Sequence, residues 1–363
     1  MLGHAKARNY GLDIIRASAI LLVFIEHLDW GIFSFIKPNS IFGILGVELF
    51  FVLSGFLIGK IVLKLDLQTN RPSFKQFYLN RWFRTLPLYY CAFIIFQIID
   101  AIHYQKIQIH WSYLVFLQNW FPDPHGFFAV SWSLAIEEWF YLILPWLIYI
   151  LLHIRFTKNR LLLSLSSVVV LIILMRFIYV LFFNPTFDQD IRKSVLFHFD
   201  PLLIGVILAY IQKNKPNFFS GLNKIIYLST ASAMILVFIV FFIYLDLVNQ
   251  IDDSFLIRVF GITWIGVSMA IYIAFFEQNI WIKKSALKSK RTFTILTIIS
   301  LLSYSIYIWH YEINKFIYFG THVVFTTDFP QAIISVILTA SAAYISYRFI
   351  ETTFLRLRKK NNG

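Results

Sequence analysis

Cysteine is almost missing from this 363-residue chain: the single one, Cys91, excludes an internal disulfide. Charged residues are also sparse, at 14%. There is no low-complexity tract and no internal repeat, so an inverted-repeat transporter finds no support. Segments between apolar runs reach only about 20–30 residues, too short for an independent soluble core. His103, His110 and His125 are not spaced as ligands, and no metal is assigned. The first apolar run follows a basic flank, as a signal peptide would. No small-residue cleavage site follows it and charges interrupt it, so it reads as a retained span.

Apolar residues are abundant instead. The chain is 59% hydrophobic with a mean hydropathy of +0.70, against roughly 45–50% apolar in soluble domains. This composition predicts an all-α polytopic membrane protein. Ten spans are expected, near 11–28, 43–63, 85–101, 131–152, 161–183, 195–212, 225–245, 255–276, 295–313 and 331–350. An even number puts both termini on one side. Of the 32 Lys and Arg, 24 then fall in the two tails and alternate loops, six lie on the opposite side, and Arg16 and Arg176 lie within spans. That asymmetry is the positive-inside pattern, which makes both termini cytoplasmic. Topology and anionic lipid account for the net charge of +13, and nucleic acid is not needed as a partner.

The first span, Gly11 to Leu28, carries Asp13, Arg16, Glu26 and His27. At ~100° per residue, the steps from Arg16 to His27 come to about 1100°, roughly 20° past three turns. Both side chains therefore share one face with Asp13, Ile20 and Val23, about 16–17 Å apart along the axis, while Glu26 points elsewhere. A charge within a membrane helix costs about 2.5–3.5 kcal/mol even on insertion scales, so the stripe is either functional or a snorkelling cation with an interfacial imidazole.

Further candidates follow along the chain. Gly55 and Gly59 form a small-xxx-small packing spacing, whereas the carboxylate of Glu48 needs a partner or a proton. Arg81 and Arg84 are i,i+3 neighbours before Pro87, suited to phosphate oxygens and equally to ordinary anchoring. Glu137 and Glu138 point about 100° apart, so at most one readily faces a cavity shared with His27. Two depths of polar groups emerge: Asp13, Arg16, Arg81, Arg84 and Glu351 inside, and His27, Glu48, Glu137, Glu138, His198 and His310 outside. A cationic inner mouth with an outer acid/base cluster describes transfer of an acyl or phosphoryl group across the membrane. It describes a proton-coupled transporter equally well.

Seven strings in chain order then carry a resemblance: LDIIRASAILLVFIEH, GVELFFVLSGFLIG, FYLNRWFRTLPLYY, WSLAIEEWFYLILPW, FDPLLIGVILA, LSYSIYIWHYEI and YRFIETTF. Over nearly its whole length the chain resembles the membrane-bound acyltransferase-3 family. The resemblance implies one membrane domain over 1–363 (core 11–351), with ten helices and no separate soluble domain. It implies an O-acyltransferase of the bacterial inner membrane. Such an enzyme moves an acyl group, commonly acetyl, from cytosolic acyl-coenzyme A to a hydroxyl of a cell-surface or lipid-linked carbohydrate. Acyl-coenzyme A is then a substrate, and no permanently bound cofactor is expected.

By motif, His27 takes the place of the catalytic histidine and Arg16 that of its arginine partner. Arg81 and Arg84 match the basic pair implicated with the donor, Glu137 the carboxylate of W-S-L-x-x-E, and Glu48 the acidic position of G-V-x-x-F-F. Either carboxylate is expected to orient His27. Glu26, Trp139 and His198 depart from the family's usual tyrosine, glutamine and arginine. The frequently fused C-terminal hydrolase-like domain is expected to be absent, which leaves a homo-oligomer or a separate esterase-type protein as partner. The rival reading is a secondary transporter that exports a small metabolite or acyl compound.

Overall fold

The computed structural model describes residues 9–28, 41–65, 74–120, 126–153, 161–218, 223–278, 290–321 and 328–360. His125 and the basic stretches 155–160 and 283–289 lie outside the described residues. The helices are α1 (Tyr10–His27), α2 (Ile41–Val62), α3 (Lys75–Tyr104), the short α4 (Trp111–Leu114), α5 (Ser131–His153), α6 (Leu161–Phe183), α7 (Asp200–Asn214), α8 (Asn223–Leu247), α9 (Ile262–Gln278), α10 (Lys290–Thr321), α11 (Asp328–Ser346) and α12 (Thr352–Lys360). No strand occurs among the described residues. Wide π-helical turns at Phe187–Arg192, Ile257–Gly261 and Tyr347–Glu351 each hold a buried ionisable side chain: Arg192, Arg258 and Glu351. A π turn rotates the faces on either side of it, which is one way to bring such a group inward.

Among the described residues, eight helices are long and apolar enough to cross a membrane, so this is an integral, all-α polytopic membrane protein. The other two expected spans are helical but differ in kind. In α1, Asp13, Arg16 and Glu26 interrupt the apolar run. The 15 residues of α7 cover about 22 Å at 1.5 Å per residue, short of a hydrocarbon core of ~30 Å. The third helix also departs from its expected bounds, beginning at Lys75 rather than 85 and holding Pro87 in its interior. Its polar first turns stay helical because Arg81 and Thr85 find side-chain partners on α5.

The organising helix is α2, most of whose residues are buried between two apolar clusters. Val47, Phe51, Ile58 and Val62 belong to one cluster with residues of α3, α5 and α10, while Ile44, Leu49, Val52 and Phe56 belong to another with residues of α7, α8 and α9. Such a helix has no polar face to show, consistent with its near-continuous apolar sequence. Glycine sets how closely α7 approaches it. A Cβ at Gly55 would stand 1.9 Å from the Leu202 carbonyl oxygen, one at Gly205 2.2 Å from that of Val52, and one at Gly59 3.0 Å from the Val206 Cα.

On its other side α2 meets α1, which starts at Asn9. The Asn9 Oδ1 accepts from the Gly11 and Leu12 amides at 3.0 and 3.4 Å, a side-chain cap. Arg176 of α6 and Asp200 of α7 are both fully buried and pair at 2.7 Å, with Thr263 Oγ1 of α9 accepting from Arg176 and donating to Asp200. The ionisable pair at that depth joins three helices.

Gly55→Ala pushes a methyl group into backbone. It is expected to cost at least the ~1–3 kcal/mol of an overpacked core, read as a lower Tm in detergent. Gly261→Ala, where a Cβ meets nothing closer than 3.5 Å, should leave Tm unchanged or raised.

Candidate active site

A cavity of about 290 Å³ opens between α1, α2, α3, α5, α10 and α12. Four of the six residues selected from sequence line it: Arg16, Arg81, Arg84 and Glu137. A fourth arginine, Arg358, joins them from α12, which packs along α3 and holds Arg358 Nη1 3.4 Å from the Asn80 carbonyl. Arg84 and Ile61 are exposed lining residues, so the cavity reaches the surface beside them. The remaining lining is largely apolar, with Phe50, Phe51, Leu57 and Ile58 along α2. A slot of this kind suits a molecule with an anionic end and an uncharged arm.

Within the cavity Arg81 is not a bare cation. Its Nη2 pairs with Glu137 Oε2 at 3.3 Å, and its guanidinium lies 3.9 Å over the Tyr141 ring. Glu137 also accepts from Tyr141 Oη at 2.9 Å and from Ser54 Oγ at 2.7 Å. The next carboxylate, Glu138, turns to Thr85 Oγ1 at 2.9 Å, so the adjacent pair grips α3 at positions four residues apart. The Arg81 Nε is buried with no hydrogen-bond partner in the protein. Arg16 reaches Ser300 Oγ at 3.4 Å, and that hydroxyl donates to Asp13 Oδ1 at 2.8 Å, tying α1 to α10.

The imidazole end lies beyond the cavity wall. His27 Nδ1 is 2.8 Å from the Val23 carbonyl oxygen and 3.3 Å from Nε2 of His310, with the ring centroids 4.9 Å apart. Tyr307, which lines the cavity and hydrogen-bonds Ser133 at 2.5 Å, has its ring centroid 5.6 Å from that of His310. Tyr307 and His310 thus form the step from the cationic slot to His27. Glu26 takes a structural post: its Oε2 accepts from the Phe42 and Gly43 amides at 3.1 and 3.2 Å, anchoring the start of α2.

Neither expected carboxylate turns to His27. Glu48 is fully buried, with Oε1 2.8 Å from Nε2 of His198, whose Nδ1 faces the Arg192 carbonyl. Glu48 lies one residue beyond Val47 of the cavity wall, about 100° round the helix, and so faces α7 instead. Glu137 belongs to the Arg81 layer, not to the outer one. Arg81 sits six residues into α3 and Glu137 six into α5, about 9 Å from each helix start, and there the two side chains meet.

Three participants carry little sign of a site role in the sequence. Arg358 reads as ordinary tail charge, although it lies seven residues, two near-complete turns, past Glu351. Tyr141 is four residues after Glu137 on the same face, a spacing that predicts their contact. His310 was placed in the outer layer with no role, because pairing with another helix leaves no mark in sequence.

Among known proteins, the family model described as an acyltransferase domain matches residues 9–348. The O-acetyltransferase OatA of Staphylococcus aureus strain NCTC 8325 / PS 47 is 30% identical over 367 residues, covering 96% of this chain and 57% of its own length. OatA of S. aureus strain COL shows the same identity and coverage. The chain thus spans a little over half the length of these curated relatives. No solved structure matches it.

The Arg81–Glu137 pair gives a direct prediction. Glu137→Gln leaves a partly buried guanidinium short of its charge and lowers Tm, as does Arg81→Gln. The double variant should recover about 0.5–3 kcal/mol relative to the sum of the singles, the range for contacting residues. Thermal unfolding in detergent measures the cycle.

Proposed function

The chain belongs to the acyltransferase family whose model spans residues 9–348, and on that premise we propose that it is a membrane O-acetyltransferase using acyl-coenzyme A as donor and a carbohydrate hydroxyl as acceptor. The observation that carries the reading is the four-arginine cavity, whose wall adjoins the His27–His310 pair. The donor's phosphates dock on Arg84 and Arg358 at the mouth, because guanidinium donors match phosphate oxygens. The pantetheine arm runs along the apolar α2 face past Arg16 towards Tyr307. The basic tails and loops support a cytoplasmic mouth, with one membrane domain (core 11–351) doing the work in a bacterial plasma membrane.

In the reaction, an imidazole nitrogen of His27 takes the proton of the acceptor hydroxyl as its oxygen attacks the thioester carbonyl carbon. The new C–O bond forms, the C–S bond breaks, and the proton passes from His27 to the departing thiolate, giving coenzyme A and an O-acyl ester. A thioester is already activated, so a positioned base is the main chemical help required, worth about 10²–10⁴-fold. The O-acetyltransferase names of the relatives support acetyl as the group transferred.

Purified protein in liposomes supplied with radiolabelled acetyl-coenzyme A tests this. Label on a sugar acceptor supports the transferase; solute flux with no covalent product supports an exporter instead. His27→Ala should lower transfer by at least ~10²-fold while the protein still inserts. Arg84→Ala and Arg358→Ala should each raise the donor KM about 10–100-fold with kcat little changed, the loss of one charge-assisted hydrogen bond. An unchanged donor KM in both would count against the proposed phosphate mouth.

A further inference from the structure

Two α10 side chains, one turn apart, hold the last residue of α1. Asn314 Nδ2 donates to the His27 carbonyl oxygen at 3.1 Å, and His310 Nε2 lies 3.3 Å from His27 Nδ1. His310 is itself fully buried, edge-on to Phe24 with ring centroids 6.3 Å apart and beside Tyr307. Such packing leaves its ring little freedom to turn.

The proton positions follow from the acceptors. His310 Nδ1 lies 2.8 Å from the Tyr307 carbonyl oxygen and 3.2 Å from that of Ile306. Carbonyl oxygens only accept, so this nitrogen carries a hydrogen. His27 Nδ1 lies 2.8 Å from the Val23 carbonyl and carries one for the same reason. The approach of His27 Nδ1 to His310 Nε2 is then attractive only if His310 Nε2 holds a lone pair. A second proton on His310 would set two N–H groups against each other. His310 is thus fixed as the neutral Nδ1–H form, and His27 is fixed with Nδ1–H.

We propose that His310 is a positioning residue for His27: it holds the His27 ring by accepting its Nδ1–H, so that the lone pair lies on Nε2, the nitrogen that takes the acceptor's proton. The inference rests on His27 as the base of the proposed reaction. When Nε2 takes the proton, the new charge is shared through Nδ1–H with two acceptors already in place, the Val23 carbonyl and His310 Nε2, and nothing has to reorganise. A neutral imidazole provides that acceptor without adding a second charge to the membrane interior. Glu48 and Glu137 are therefore left to His198 and Arg81.

The test compares His310→Leu, which fills the space and accepts nothing, with His310→Gln, whose amide oxygen can take the His27 Nδ1–H. Both are assayed in liposomes with acetyl-coenzyme A and a sugar acceptor, beside His27→Ala. His310→Leu should lower kcat by about 10²-fold with the donor KM within about threefold of wild type, and His310→Gln should recover at least tenfold of that loss. If His310→Leu does not yield folded protein, His310→Phe replaces it, keeping a planar ring against Phe24 and Tyr307 without an in-plane lone pair. Wild-type kcat without the acceptor overturns the proposal. So does an equal loss in His310→Gln and in the variant that accepts nothing. A wild-type rate in His27→Ala overturns the base assignment itself. Loss in His27→Ala beside a wild-type rate in His310→Leu overturns only the role of His310.

Discussion

A charge buried in a low-dielectric bundle must be matched, since each unmatched ion there costs several kcal/mol. The interior of this protein is arranged around that demand. Arg176 is held by Asp200 and Thr263, Arg81 by Glu137 and the face of Tyr141, Glu48 by His198, and Asp13 by Ser300. Each match joins different helices: α6 with α7 and α9, α3 with α5, α2 with the segment entering α7, and α1 with α10. The polar groups that set the chain apart from a simple apolar bundle therefore also specify which helices are neighbours.

The pairing works because α2 brings the other helices close. Its glycines let α7 approach to backbone contact, and its opposite face carries Ser54 to Glu137 and the apolar wall of the cavity. Along this frame the site divides by chemistry. Guanidinium groups gather where an anionic donor would enter, and neutral imidazoles gather where a proton would be exchanged. Tyr307 stands between them. On the proposed reading, this separation keeps donor binding and proton transfer from competing for the same side chains.

The helices are well legible from sequence because apolar run length and hydropathy report membrane solubility directly. Where structure and local hydropathy differ, tertiary packing is the reason. The Lys75 end of α3 is polar, yet helical through its partners on α5; α7 is shorter than its apolar run, yet buried against α2. Of the site, Arg16, Arg81, Arg84 and Glu137 are legible as costly charges in or beside apolar runs, and all four line one cavity. Arg358 is masked by its neighbours in a basic tail, where charge is ordinary.

The partner of His27 shows where sequence stops. The order of amino acids already carries the membrane class, the helix order and the ionisable residues that a bilayer would not tolerate without cause. Those properties depend on residue type and spacing along one helix. Which carboxylate meets which cation, and the meeting of His27 with His310 rather than with Glu48 or Glu137, depends on helix rotation and depth between segments up to 283 residues apart. Those matches are left to the fold, because a hydrogen bond across two helices is set by their packing and not by either helix alone.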